Sequence, residues 1–316
     1  MHLGVDVGGT KIEAVVLVGS GAERFRERIA APQGNYGETL AAIGRLHDRA
    51  AAACGGLDSV GLGTPGSVIP EAGLMKNCNA TWLNGRPLPQ DLADRLGSPV
   101  VVANDADCFA LSEASDGAGA GERVVFGVIL GTGVGGGVVV DGRLLAGPNG
   151  IAGEWGHNPL PSLVAAPAAM VERHQALPPR ACYCGRVDCV ETWLSGPGLL
   201  RSAQELGCQV ATAEAAVAAA SAGDVAALAA LDLLQWQLAA ALSGVINVLD
   251  PDVIVLGGGL SQVRLLYDGV TARWDRFVFS DQVRTRLTPP RFGDASGVRG
   301  AAWLGQRGGM WRRRKR

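Results

Sequence analysis

The chain begins with two short apolar runs, Leu3 to Val7 and Ile12 to Val18, rich in β-branched residues and separated by "GGTK". That pattern predicts a β-hairpin closed by a glycine turn. Arg24 to Ala30 continues as a third strand, Thr39 to Ala53 reads as an alanine-rich helix, and Ser59 to Gly63 as a strand ending at the turn "TPG". The stretch "KNCNATWLNGRPLP" keeps neither period and predicts a loop. After it come a helix near Gln90 to Leu96, a strand at Pro99 to Ala103 and a helix opening at "NDADCFALSEA". The pattern then starts again: Arg123 to Leu130 as a strand, "GTGVGGG" as a glycine turn, Val138 to Val140 as a second strand, and "DGR" as a turn into a third at Leu144. Further on lie an alanine-rich helical region, Thr212 to Leu249, a strand at Asp252 to Leu256 followed by "GGG", and a last helix, Gly297 to Leu304.

"VDVGGTKIEAVVLVGSGAE" and "VILGTGVGGGVVVDGRLL" share a plan of strand, glycine turn, strand and short turn, a weak internal repeat. It predicts two similar α/β domains facing each other, 1–117 and 118–296, with the helix at 297–305 packing back on the first. A chain of 316 residues, 47% hydrophobic and 18% charged, has material for two such cores. Leu233 to Leu249 is long and uncharged but contains Gln235, Gln237, Ser243 and Asn247, which predicts a buried helix rather than a membrane span. The net charge of −2 gives no general reason to expect nucleic acid or a membrane as partner, and the basic end at 306–316, "WRRRKR" at its close, reads as a solvated tail. Asp6 interrupts the first apolar run, so no standard secretion signal is expected. Cys54, Cys78, Cys108 and Cys208 lie scattered in apolar surroundings, as in a reducing, cytoplasmic protein.

"GTGVGG" satisfies the G-x-G-x-x-G pattern of dinucleotide sites, but "GVVVDG" follows it where that fingerprint requires a helix. No Walker A sequence is present, since the first turn reads Gly-Thr-Lys. What stands out is that three glycine clusters, Gly8 to Thr10, Gly131 to Gly137 and Gly257 to Gly259, each follow an apolar strand directly. Glycine admits positive φ and close approach of another group, so such turns aim N–H donors at phosphates, with Thr10 and Lys11 adding donors at the first. Strands from two domains meeting at one cleft would make these turns a nucleotide site.

"AND" ends a strand and opens a helix, so either Asn104 or Asp105 caps that helix. Phosphoryl transfer to an alcohol needs a carboxylate to take the hydroxyl proton, and Asp105 is the candidate base. "GEWGH" sets Glu154 and His157 in a glycine-rich loop, and "CYCGRVDCVE" supplies Cys182, Cys184 and Cys189 followed by Glu191. Three thiolates and an imidazole suit a closed, structural zinc site, with His157 or His174 as the nitrogen ligand; a disulfide with a spare thiol is the alternative. A metal on one nitrogen of His157 would orient the other toward a ligand hydroxyl.

Together, "DVGGTK", "GTPG", "AND", "GTGVGGG", "GEWGH", "CYCG…C.E" and "DPDVIVLGGGLS" resemble the ROK family of sugar kinases over nearly the whole chain. The resemblance implies an α/β architecture of two ribonuclease H-like domains, of the actin, Hsp70 and hexokinase type, with an interdomain cleft. It implies Mg-ATP as donor, with Asp6 facing the metal and phosphates. Gly8, Gly9, Thr10 and Lys11 would hold phosphate opposite Gly131, Thr132, Gly133 and Gly135, and Gly257, Gly258 and Gly259 would border the adenosine. Asp105 would be the base, while Gly66, Asn79, Asn104, Glu154, His157 and Glu191 would line the sugar, and the zinc loop would span 157–189. A homodimer is also implied.

Within the family, "NCNATWLNGRPL" and "GEWGHNPLP" look most like fructokinases acting on a 6-hydroxyl, with N-acetylhexosamine kinases and glucokinases as alternatives. The family's transcriptional repressors carry a helix-turn-helix domain ahead of the kinase-like part, whereas two residues precede the first strand here; a sugar sensor without catalysis is the other alternative. Two departures stand out: Asp188 replaces the usual glycine before the last cysteine, and the segment from His157 to Cys182 is long. Ligand spacing is unchanged, so the metal site is expected to survive.

Overall fold

The structure, a computed structural model, describes residues 1–307; the basic end closing in "WRRRKR" lies outside the described residues. The chain forms two compact units. The first comprises Met1–Gly127, Gly137–Gly153 and the chain from Pro290 onward, and the second Val128–Gly136 and Glu154–Pro289.

The apolar, β-branched runs fold as the strands they predict. β1 (His2–Val7), β2 (Lys11–Leu17) and β3 (Glu23–Ala30) form an antiparallel meander, followed by α1 (Tyr36–Cys54) and β4 (Ser59–Thr64). Asn35 caps α1 by accepting from the Glu38 N–H at 3.0 Å. The region expected as one loop contains a small hairpin, β5 (Ser67–Val68) and β6 (Met75–Lys76), and a 3-10 turn at Thr81–Leu83. α2 (Leu88–Leu96), β7 (Val100–Asn104) and α3 (Asp105–Ser115) follow. The sheet order is β3-β2-β1-β4-β7, with β4 and β7 parallel to β1.

The repeat is real. β8 (Val124–Leu130), β9 (Val134–Val140) and β10 (Arg143–Leu144) are joined later by β11 (Val253–Gly257) and β12 (Arg286–Thr288) in a second sheet ordered β10-β9-β8-β11-β12, which reproduces the first strand for strand. One expectation is corrected here: the glycine turn is short, and β9 starts at Val134 instead of Val138. Gly137 lies within this strand, where a Cβ would come 2.7 Å from the Ala106 carbonyl oxygen.

The long segment after His157 folds α4 (Ala168–Gln175), followed by α5 (Val190–Leu194) and α6 (Gly196–Glu205). The alanine-rich region is two helices, α7 (Ala213–Ser221) and α8 (Val225–Leu249), broken at Gly223, where φ is +91°. α8 is long and apolar enough to cross a membrane, yet 72% of its apolar window is buried, packed against α4 to α7 and the helix at Leu265–Trp274. β11 (Val253–Gly257), α9 (Leu265–Trp274), β12 (Arg286–Thr288) and α10 (Ser296–Gln306) complete the chain.

α10 packs on β1, β4 and α3 in the first unit, as expected for the last helix. Leu3, Val5 and Val7 turn to the opposite face and join Ala42, Ile43 and Leu46 of α1 in the core. The α10 side is made by absence of side chains: a Cβ at Gly61 would lie 1.9 Å from the Ala301 oxygen, and one at Gly300 1.6 Å from the Cys108 oxygen.

Candidate functional site

In the first unit, β1 carries the half-buried Asp6, paired across the sheet with Glu13 on one side and Gly63 on the other. Burial, followed by the carboxylates of Asp105 and Glu13, pushes Asp6 up to about 6, while Lys11 and Arg28 act in the opposite sense. Glu13 is itself buried and gripped by Arg26 Nη1 at 2.5 Å and Arg28 Nη2 at 2.6 Å.

Just beyond Asp6, the Gly8 N–H donates to the Lys11 oxygen at 2.9 Å, closing the hairpin, and Ala31 N donates to the Thr10 oxygen at 2.9 Å. Neither Gly8 nor Gly9 has a positive φ, so the turn does not use the left-handed conformation. A Cβ at Gly9 would meet nothing within 4 Å. Nothing in the surrounding chain requires glycine at position 9; the backbone is left open to an approaching group, as a phosphate cradle requires.

The junction "AND" resolves in favour of Asn104 as the cap, its Oδ1 accepting from Asp107 N at 2.6 Å. Asp105 is the first residue of α3, exposed, with Oδ1 accepting from Ala106 N at 2.8 Å. A carboxylate here sits where the helix dipole favours negative charge. Gly66 is glycine for a packing reason, since a Cβ would come 2.5 Å from both Cys78 Sγ and the Lys76 oxygen. Asn79 is exposed beside Cys78, whose backbone is clamped from both sides by Asn84, Oδ1 accepting at 2.8 Å and Nδ2 donating at 3.1 Å. The sequence pattern did not single out Asn84, whose role rests on a contact across a loop.

In the second unit, Gly131 to Gly133 turn sharply between β8 and β9, with Gly131 N donating to the Gly133 oxygen at 3.0 Å. Glu191 Oε2 accepts from Val134 N at 3.0 Å, and a Cβ at Gly133 would lie 2.4 Å from that same oxygen. The carboxylate after the cysteine cluster is thereby tied to the end of the glycine turn. Gly258 needs its freedom, with φ +78° and the Leu130 oxygen 2.5 Å from where a Cβ would be. Gly259, like Gly9, faces no neighbour within 4 Å, and at Gly131 the nearest atom is 3.8 Å away.

His157 closes a 3-10 turn, Trp155–His157, anchored by Trp155 Nε1 donating to the Gly135 oxygen at 3.0 Å. Glu154 precedes it, exposed. The donor atoms of His157, Cys182, Cys184 and Cys189 all lie within 4.8 Å of one another. Nδ1 of His157 is 3.6 Å from Cys182 Sγ, and Cys184 Sγ is 3.6 Å from Cys189 Sγ. Zinc bonds of about 2.3 Å to sulfur and 2.0–2.1 Å to nitrogen give tetrahedral edges of roughly 3.5–3.8 Å, so the donor set fits that ion. All seven cysteines are free thiols, and no disulfide competes. His174 points elsewhere, its ring edge-on to Trp193 at 4.7 Å and Nδ1 3.3 Å from Gln237 Nε2.

Asp188 occupies the left-handed region, φ +54°, where glycine would be unstrained. Its side chain compensates: Oδ1 accepts from Arg180 N at 2.8 Å and from Trp193 Nε1 at 3.1 Å. Arg180, 1% exposed, stacks 3.6 Å over the Trp193 ring and donates to the Thr192 and Gly198 oxygens, Ser202 and Glu205. Tyr183 also escaped the pattern. Its ring is exposed, while its hydroxyl turns in to 2.9 Å from His157 Nε2. Burial of that end, with Glu191 and Glu154 nearby, pushes the phenol up to about 12.

Two sheets of the same strand order, each ending in glycine turns beside acidic residues, define an α/β protein of the actin, Hsp70 and hexokinase type. The ROK family pattern matches residues 2–307. The N-acetylgalactosamine kinase AgaK of Shewanella sp. (strain ANA-3) is 38% identical over 96% of each chain, and an N-acetyl-D-glucosamine kinase of Erwinia tasmaniensis is 39% identical over 96% of this chain and 99% of its own. Among solved structures, the ROK hexokinase from Thermus thermophilus matches with a TM-score of 0.84 at 28% identity, covering 97% of this chain and 98% of that one. A ROK family glucokinase from Streptomyces griseus, solved with glucose and AMPPNP, matches at 0.72 and 27%, covering 97% and 99%. The chain belongs to the ROK family of sugar kinases.

Proposed function

We propose that the protein transfers the γ-phosphate of Mg-ATP to the 6-hydroxyl of an N-acetylhexosamine, with Asp105 as general base. The substrate rests on one observation: the two relatives above, similar along almost their full length, are named for N-acetylgalactosamine and N-acetylglucosamine. Those sugars share a 2-acetamido group. Fructose is the second reading, favoured by "NCNATWLNGRPL" and "GEWGHNPLP".

Asp105 would take the proton as the 6-oxygen bonds to the γ-phosphorus and the bond to ADP breaks. Asn104, Asn79 and Gly66, with Glu154 and Glu191, would hold the sugar; His157, expected to contact it directly, has its second ring nitrogen 2.9 Å from Tyr183 Oη instead. Gly8 to Lys11 and Gly131 to Gly135 would bind the phosphates, Gly257 to Gly259 the adenosine, and Asp6 would face the Mg²⁺, which neutralises phosphate charge when bound. The open backbone at Gly9, Gly131 and Gly259 supports these placements. His157, Cys182, Cys184 and Cys189 would hold a structural zinc that fixes the loop and leaves no open position for water. A cytoplasmic homodimer is part of the same reading.

The test is ADP release with Mg-ATP across N-acetylglucosamine, N-acetylgalactosamine, N-acetylmannosamine, glucose, mannose and fructose. The highest kcat/KM is expected with a 2-acetamido sugar; a clear preference for fructose would replace the substrate and keep the mechanism.

A further inference from the structure

No role assigned so far uses Tyr183, although it stands between two cysteines of the metal cluster. It is 83% exposed, its ring meets that of His157 edge-on at 5.1 Å and 87°, and its hydroxyl is 2.9 Å from Nε2. If Nδ1 serves a cation, the protons at this contact have one arrangement. A ligating nitrogen carries no hydrogen, so Nε2 carries it and donates to Tyr183 Oη. The phenol, having accepted, keeps its own hydrogen for another partner, and among the described residues it has none. His157 thus presents no unused donor of its own; the donor available to a ligand is the phenol.

The remaining O–H needs an acceptor, and an acetamido carbonyl is a stronger one than a hydroxyl oxygen. A sugar hydroxyl both donates and accepts, whereas an acetamido carbonyl only accepts. The exposed ring beside it offers an apolar edge for the acetyl methyl. We propose that Tyr183 is a specificity-determining residue, its O–H donating to the acetamido carbonyl of the sugar while His157 holds it in place. This rests on the N-acetylhexosamine reading and on the occupied metal cluster.

Tyr183→Phe keeps the ring and removes the donor. Steady-state kinetics of wild type and variant with N-acetylglucosamine and glucose, together with zinc content, test the idea. The ratio of kcat/KM for N-acetylglucosamine over glucose is expected to fall about 5–10-fold, as for loss of one neutral hydrogen bond, mainly through KM. Calorimetric affinity for N-acetylglucosamine, measured in an Asp105→Asn background, is expected to fall by a similar factor, with zinc content unchanged. An unchanged ratio in an enzyme that prefers N-acetylglucosamine overturns the role of Tyr183 and leaves the substrate reading intact. Loss of zinc from the variant overturns it too, by making Tyr183 a brace of the cluster. A wild type that prefers glucose overturns the substrate reading itself, and that shows in the wild-type data alone.

Discussion

Asp6 lies in a carboxylate-rich corner, and this has a cost in stability. Its folded pKa, about 6, is raised above the ordinary value of 3.8, so the folded state holds the proton more tightly than the unfolded chain. Below about pH 4 both states are protonated and the residue is neutral to stability. As pH rises to 6 the folded state must give up a favoured proton, and stability falls; above that the full penalty applies. At about 1.4 kcal/mol per pKa unit, Asp6→Asn is expected to stabilise the metal-free protein by about 1–3 kcal/mol at pH 7.5 and by little at pH 4. Urea unfolding at both pH values with EDTA present checks it; equal effects at the two would contradict the sign. Asp188 makes the opposite trade. Asp188→Gly relieves the left-handed backbone but loses the bonds to Arg180 N and Trp193 Nε1, so a net loss of about 1–2 kcal/mol is expected in the same assay. A more stable glycine variant would mean that the two bonds contribute nothing. At this scale the sequence pattern identified residues that carry chemistry by type, such as Asp6, Asp105 and the cysteines. It missed Asn84, Arg180 and Tyr183, whose importance lies in contacts that only the folded loops bring together.

At the scale of elements, β1, β2 and β4 were legible as short apolar runs because each is buried along nearly its whole length. Elements two residues long, β5, β6 and β10, have no period to read, and only "DGR" into Leu144 betrayed the last of them. β9 was read too short because its glycines imitate a turn, whereas at Gly137 it is the backbone of α3 that leaves no room for a side chain. The same logic governs α10, which lies on β4 and α3 backbone to backbone. Gly300→Ala places a methyl group where the Cys108 oxygen is 1.6 Å away, and a loss of about 1–3 kcal/mol or more is expected in urea unfolding. A loss below 0.5 kcal/mol would show that α10 shifts freely.

For the whole molecule, the duplicated plan was the most legible feature, since two strand–glycine–strand patterns folded into sheets of the same order. We hold a domain division at 117/118 as a proposal: it keeps each sheet whole, whereas the compact units part within β8 and β9. We propose that a zinc ion held by the cysteine cluster gives the molecule a second source of stability. Purified protein is expected to contain one zinc per chain, and chelation to lower Tm by about 5 °C or more. Metal analysis finding no zinc, in protein that melts at the same temperature with or without chelator, would contradict that role.

We propose Asp105, exposed at the start of α3, as the base of this ROK family sugar kinase. The most direct measurement compares Asp105→Asn with wild type in two readouts, ADP release with the preferred sugar and sugar affinity by calorimetry. Loss of the base is expected to lower kcat by about 10²–10⁴-fold while affinity for the sugar changes little. Turnover near that of the wild type would contradict the account.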